Sequence, residues 1–237
     1  MLAGMLWSPI GKEKVINKGE NIMAKYLIHA CPQRLWYVEE HLIPSMVAQG
    51  IDRGDISIFT DTEKLGNLEA FMQSLLLIEE GSGVWHMQDD VVISKQFRRW
   101  TEEYDDGVVC GFCSKYSRMM PAGLVDVKYM WYSFPCIRIP NVIAQEFSTW
   151  FYRECMYNPA YTTYIQKKKY DDSIFHDYME SHCPEMEVLN LAPNIVEHID
   201  YLIGGSTINP GHNEEPIKSL YWDEQDTIIA LRRELDV

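Results

Sequence analysis

The first half of the chain alternates between short apolar runs and longer amphipathic segments, and this alternation constrains the fold more than any other feature. The apolar runs at 26–31, 55–60 and 84–87 are typical of buried strands. Between them, 35–49 and 67–80 carry apolar residues at helical spacing, and a glycine follows each segment. Strands that alternate with helices form parallel sheets covered by those helices. We therefore expect an α/β fold with a mostly parallel central sheet flanked by helices.

The second half continues the pattern less regularly and shows no repeat or linker that would divide it. It predicts strands at 108–114, 131–139 and 187–191, and helices at 95–104, 140–157, 173–182 and 223–235. A chain of 237 residues fits one large domain, which we expect to span 23–237. Residues 1–22 have no clear period, so we expect a disordered leader or a mis-assigned start upstream of Met23. Trp150, on a helical face, is interpreted as a core residue.

Charge and hydropathy limit the partners and the compartment. With 35 acidic and 21 basic residues the net charge is −14, which disfavours nucleic acid as a partner because phosphate backbones are repelled. No apolar run is long enough to cross a bilayer, and the amino-terminal residues lack the apolar core of a signal peptide. We therefore expect a cytoplasmic protein with no membrane span.

The third predicted strand runs directly into Gln88, Asp89 and Asp90. Open α/β sheets bind ligands just beyond the carboxyl ends of their strands. Two adjacent carboxylates there can hold Mg²⁺ or Mn²⁺, which usually take one or two carboxylates plus the phosphates of a substrate. An Asp-Asp pair can also cap the turn after a strand. The residues alone leave both interpretations open.

With this motif the sequence resembles the GT-A glycosyltransferases, some of which carry a Glu-Asp-Asp-Val form of their metal motif. The resemblance implies a GT-A-like fold, a nucleotide-sugar donor, and a divalent cation (Mn²⁺ or Mg²⁺) that bridges the donor diphosphate. It assigns metal contact to Asp90 and a supporting role beside the donor to Asp89. Gln88 takes the place of a residue, often acidic, that lies near the ribose, so this chain lacks one possible charge there.

The same resemblance points to residues after the first and second strands. Family members often place an arginine or another polar residue after the first strand and an aspartate after the second, around the base and ribose. Arg34 and Asp61 hold the matching positions. Each also has a structural interpretation, Arg34 as a solvated residue at a helix start and Asp61 as the cap of a turn.

A second acidic pair, Asp171 and Asp172, precedes the predicted helix at 173–182. It looks like the family's second acidic motif, whose last carboxylate is the catalytic base in inverting members. That maps the base onto Asp172, with Asp171 as the second candidate; a base must remove the proton of the acceptor hydroxyl. A helix amino terminus stabilises an ionised carboxylate. Aspartate also commonly caps helices, so a purely structural role remains open.

A third segment, 191–199, resembles a Pro-x-Leu-Val-x-His-x-Gly run found in several GT-A enzymes. In such enzymes a late histidine completes the metal shell or touches the diphosphate, and His198 is the match, while Asp200 replaces the usual glycine. Imidazole is a fair ligand for Mn²⁺ and a poor one for Mg²⁺. His198 as a buried structural residue, and His212 as a competitor for the role, stay open.

Together these residues predict an enzyme that moves a sugar from a nucleotide-sugar donor to a hydroxyl of a glycan or small-molecule acceptor. Inversion is favoured because a candidate base is present. One alternative is a nucleotidyltransferase on a related scaffold, which should carry a glycine-rich loop where 31–34 has no glycine. The other is a non-catalytic carbohydrate-binding protein, an idea supported by Gln88.

Overall fold

A mixed β-sheet organises the part of the chain that the computed structural model describes: residues 25–78, 83–112, 125–126, 135–155, 158, 171–205, 222 and 224–235. The expectations for 1–22, and the competitor His212, lie outside these residues. The strands are β1 (Tyr26–Ala30), β2 (Ile56–Thr60), β3 (Gly83–Gln88), β4 (Val91–Ile93), β5 (Val108–Cys110), β6 (Val125–Asp126), β7 (Cys136–Pro140), β8 (Val188–Asn190) and β9 (Val196–His198).

The main helical segments of the described residues lie between the strands, except for the last, which follows them. The first, α1, consists of Leu35–Tyr37, a π-helical turn at Val38–Leu42, and Ile43–Ala48. The others are α2 (Asn67–Leu75), α3 (Phe97–Glu103), α4 (Asn141–Trp150, continued by a π-helical turn at Phe151–Cys155), α5 (Asp171–His182) and α6 (Gln225–Glu234). Pro44 has no amide proton to donate to the preceding turn, and the widened turn of α1 ends two residues before it, at Leu42.

Strand order in the main sheet is β2-β1-β3-β7-β5-β8-β6, with a separate two-stranded sheet formed by β4 and β9. The predicted parallel unit β2-β1-β3 is present. The expectation of a mostly parallel sheet is wrong: the sheet is mixed, because β7 runs antiparallel to both β3 and β5 and β6 runs antiparallel to β8. The sequence of a short buried strand does not show the strand's direction, so the segment at 136–140 could not reveal the reversal.

Apolar residues fill both faces of the sheet and hold the helices against it. On one face Leu27 packs in a cluster with Phe71 and Phe147, which lie on α2 and α4. On the other face Ile28 packs in a cluster that includes Tyr37 of α1. Alternation of neighbours between the two clusters is the period-two pattern of a strand covered on both sides. Among the described residues, no helix is both long and apolar enough to cross a membrane.

Candidate functional site

Three loops meet at one edge of the sheet because β1, β2 and β3 are parallel and end together. Cys31 follows β1, Asp61 follows β2, and the acidic pair follows β3. The register places His29 opposite Gln88, so the ends of β1 and β3 are level. This edge therefore collects residues that are far apart in the sequence.

Arg34 joins the two carboxylates of the acidic pair. Its Nη1 lies 3.0 Å from Oδ1 of Asp89 and 2.5 Å from Oδ2 of Asp90. Its Nη2 donates to the carbonyl of Gly205, and the whole residue is only 3% exposed. The guanidinium thus contacts protein acceptors rather than facing solvent. Arg34 is therefore not a solvated residue at a helix start, and it holds the two carboxylates of the acidic pair together.

Asp89 is fixed on both carboxylate oxygens. Its Oδ2 accepts a hydrogen bond from the amide of Cys31 at 2.7 Å, and its Oδ1 faces Arg34. Asp90 is bound differently, because its Oδ2 receives the contacts while its buried Oδ1 has no partner among the described residues. Of the two, only Asp90 therefore retains a buried oxygen for a ligand.

His198 reaches Asp90 through the pairing of β4 with β9, which the sequence patterns did not predict. Val91 pairs with His198 in this antiparallel ladder, and the amide of Ile199 donates to the carbonyl of Asp90 at 2.8 Å. The imidazole Nε2 then lies 3.1 Å from Oδ2 of Asp90, and Nδ1 lies 3.8 Å from Asp200. The backbone of the acidic pair is thereby tied directly to the segment that carries the histidine.

Charges in this cluster balance one another. Burial works to raise the pKa of Asp90, but His198 and Arg34 outweigh it and hold that pKa well below its usual range. Burial works to lower the pKa of His198, but Asp90 reverses this and raises it to about 9. Burial and the charge of Asp90 raise the pKa of Asp89, with Arg34 opposing them. Asp90 is therefore an ionised carboxylate with two cationic partners at neutral pH.

The second acidic pair separates into two different environments. Asp171 is 4% exposed, accepts a hydrogen bond from Nδ2 of Asn67 at 2.6 Å on Oδ1, and has a buried Oδ2 with no partner in the described structure. Burial is the main cause that raises its pKa to about 6, and the charge on Asp90 adds to the shift. Asp172 is half-buried and its Oδ1 accepts from the amide of Ser173 at 2.6 Å. The deeper residue, Asp171, is electrostatically coupled to Asp90.

Asp61 and Gln88 border the same edge. Asp61 accepts backbone hydrogen bonds from Leu65 at 3.0 Å and from Gly66 at 3.4 Å, so it caps the loop that leads into α2. Gly66 has a φ of 86°, a conformation that favours glycine, and the cap fixes the chain just before it turns into the helix. Gln88 ends β3 half-buried. Asp61 and Gln88 therefore lie beside the predicted site.

His29 is a residue of this edge that the sequence analysis did not identify. Burial lowers its pKa to about 4, although the charges of Asp61 and Asp90 oppose the shift. Its ring lies 5.8 Å from the ring of His86 on the neighbouring strand. A neutral imidazole thus lies within the electrostatic influence of Asp61 and Asp90. The available signal was a histidine at the second-last position of a strand that is otherwise apolar, which identifies a strand-end residue but no role.

A divalent cation fits the donor atoms at Asp90 in part. The unpartnered Oδ1 of Asp90 is the hard oxygen ligand that Mg²⁺ and Mn²⁺ prefer, and one carboxylate with substrate phosphates is an ordinary protein contribution. The imidazole of His198 is close enough to the same carboxylate to bind the cation as well. It can do so only after it loses the proton that its raised pKa retains at neutral pH. Arg34 already neutralises part of the acidic charge, so a cation there depends on the substrate for further ligands.

No known protein family matches the chain, and no curated protein matches it. The resemblance to GT-A glycosyltransferases therefore rests on the motifs themselves and stays a prediction.

Proposed function

We propose that this protein transfers a sugar from a nucleotide-sugar donor to an acceptor hydroxyl at the edge formed by β1, β2 and β3, with a GT-A-like arrangement of its site. One observation carries the proposal. Two buried carboxylates, Asp90 and Asp171, each have an oxygen without a partner in the described structure, and the charge of one raises the pKa of the other. Unpartnered buried carboxylate oxygens are rare and need an explanation, and a ligand that lies between them supplies one.

In this proposal Asp90 and His198 hold a divalent cation, Mn²⁺ rather than Mg²⁺ where the imidazole takes part. When bound, the cation supplies neutralisation of the charge on the departing diphosphate. Asp89 and Arg34 position Asp90: the Cys31 amide and the guanidinium leave the acidic pair little freedom to turn. A site held by such contacts needs little reorganisation when the donor binds.

Asp171 is the base in this proposal, in place of Asp172, which the sequence motif favoured. A pKa of about 6 leaves the carboxylate ionised at neutral pH while keeping it a stronger proton acceptor than an ordinary aspartate. Its free oxygen is buried at the amino terminus of α5. Asp172 is less deeply buried and accepts from the amide of Ser173, the next residue of the helix.

The test is hydrolysis or transfer by the whole chain with a panel of uridine, guanosine, cytidine, adenosine and thymidine diphosphate or monophosphate sugars. We expect release of the nucleotide with Mn²⁺ and none with EDTA. Asp171→Asn should lose at least about a hundredfold in turnover, the usual contribution of a general base, while Asp172→Asn retains activity. No turnover with any donor, or full activity in Asp171→Asn, would contradict the assignment.

A further inference from the structure

A cavity on the outer side of α4 and α5 lies away from the site described above. It has a volume of about 580 Å³ and is formed between the last turns of both helices. Its lining from α4 and the following π-helical turn is Gln145, Glu146, Thr149, Trp150, Arg153 and Glu154. Its lining from α5 is Tyr178 and His182. His182 lies at the opposite end of α5 from Asp171, about 16 Å along the helix at 1.5 Å per residue.

Three aromatic rings form one continuous wall of this cavity. The ring of Tyr178 is stacked on that of His182 at 5.0 Å between centroids, with 10° between the planes. The ring of Trp150 lies 5.3 Å from each of them. The interpretation of Trp150 as a core residue holds only in part, because the side chain is half-buried, packs on the core on one side and lines the cavity on the other. Because Tyr178 is only 3% exposed, the rigid apolar surface offered to a ligand comes mainly from Trp150 and His182.

Polar groups of both kinds surround the aromatic wall. Glu146 and Glu154 are acceptors, Arg153 is a donor, and Thr149 is both. Arg153 Nε lies 2.9 Å from Oε1 of Glu154, so these two charges offset each other. The remaining carboxylate, on Glu146, gives the lining one net negative charge. The π-helical turn that follows Trp150 widens the helix where Arg153 and Glu154 join the lining.

We propose that this cavity binds a saccharide ring. The net negative charge opposes an anion, and the charged rim is unsuited to a purely apolar ligand. A neutral sugar has an apolar ring face for Trp150 and hydroxyls that both donate and accept around its edge, which matches this lining. This inference goes beyond the proposed function and does not depend on transfer at Asp90.

The experiment follows the indole N–H resonance of Trp150 in ¹⁵N-labelled protein, assigned by its loss in Trp150→Phe. The probes are maltotriose, cellotriose and chitotriose, with tetramethylammonium and inorganic phosphate as the competing chemistries. At least one trisaccharide should shift the resonance in a saturable manner, and Glu146→Gln should weaken its binding about tenfold through loss of a charge-assisted acceptor. Glu180→Gln, the same change on the opposite face of α5, should leave binding unchanged.

The two sites are separable in this experiment. Asp90→Asn should leave trisaccharide binding at Trp150 intact, and Glu146→Gln should leave nucleotide-sugar binding at Asp90 intact. Failure of the proposed transfer therefore does not remove the saccharide cavity. Absence of a saturable shift with all three trisaccharides, or a response to tetramethylammonium or phosphate alone, overturns the inference.

Discussion

Nε2 of His198 lies 3.1 Å from Oδ2 of Asp90, although more than a hundred residues separate the two in the chain. The antiparallel pairing of β4 with β9 brings them together, since Val91 pairs with His198 immediately after the acidic pair. The contact is therefore built from backbone geometry as well as from side-chain charge. This makes the position of the histidine relative to the carboxylate a property of the fold.

Arg34 should be the most sensitive residue of the cluster with respect to stability. Arg34→Met leaves Asp89 and Asp90 buried without their shared cation, and we expect the free energy of unfolding to fall by about 3–5 kcal/mol. Urea denaturation in EDTA measures this. The matched control is Arg99→Met, because the pair Arg99–Glu103 is exposed and should contribute less than about 1 kcal/mol. Equal, small effects in both variants would show that Arg34 does not hold the acidic pair.

Asp171→Asn should increase stability at neutral pH. Because the folded-state pKa of Asp171 is raised to about 6, its contribution to stability is fully present below the unfolded value and is lost as the pH rises through about 6. Asparagine keeps the neutral form at all pH values. We expect Asp171→Asn to exceed the wild type by about 1–3 kcal/mol at pH 7.5 and to equal it near pH 4, in denaturant titrations. A destabilised variant at pH 7.5 would contradict the burial of an ionised carboxylate.

Asn67 should set the pH range in which Asp171 works. Its Nδ2 donates to Oδ1 of Asp171 at 2.6 Å and so favours the ionised form. In Asn67→Ala the pKa of Asp171 should rise further, and the acidic limb of the pH–rate profile should move to higher pH. Activity well above that limb should change much less. A profile that falls at all pH values without moving its acidic limb would mean that Asn67 acts on the structure of the site and not on the proton of Asp171.

Most of the framework could be predicted from the sequence, and so could the edge of the sheet at which the candidate site lies. Strands β1, β2 and β3 have apolar runs and helices α1 and α2 have helical spacing, so their parallel unit and the edge carrying the acidic pair followed from local patterns. The reversal at β7 and the pairing of β4 with β9 are long-range choices between short apolar segments. The sequence of a short strand does not show which strand it pairs with. His198 was therefore identified from a motif and not from the predicted fold.

Local patterns in the sequence also do not show which of two adjacent polar residues is buried. Asp171 and Asp172 are neighbours with the same side chain. Asp171 is buried in the protein, whereas Asp172 accepts a hydrogen bond from the amide of Ser173 in the first turn of α5. Arg34 follows β1 at a position where the sequence indicates an exposed helix start. Only the folded structure shows that both carboxylates and the carbonyl of Gly205 surround it. These distinctions depend on which elements pack around a residue.

Isothermal titration of a nucleotide-sugar donor into wild type and Asp90→Asn shows whether Asp90 carries metal-dependent binding of the donor. We expect saturable binding by the wild type with Mn²⁺, much weaker binding with EDTA, and no metal-dependent binding by Asp90→Asn, with circular dichroism showing both proteins folded. Asp226→Asn, an exposed change beside Lys95, serves as the control and should bind like the wild type. Equal, metal-dependent donor affinity in wild type and Asp90→Asn would show that Asp90 does not hold the cation.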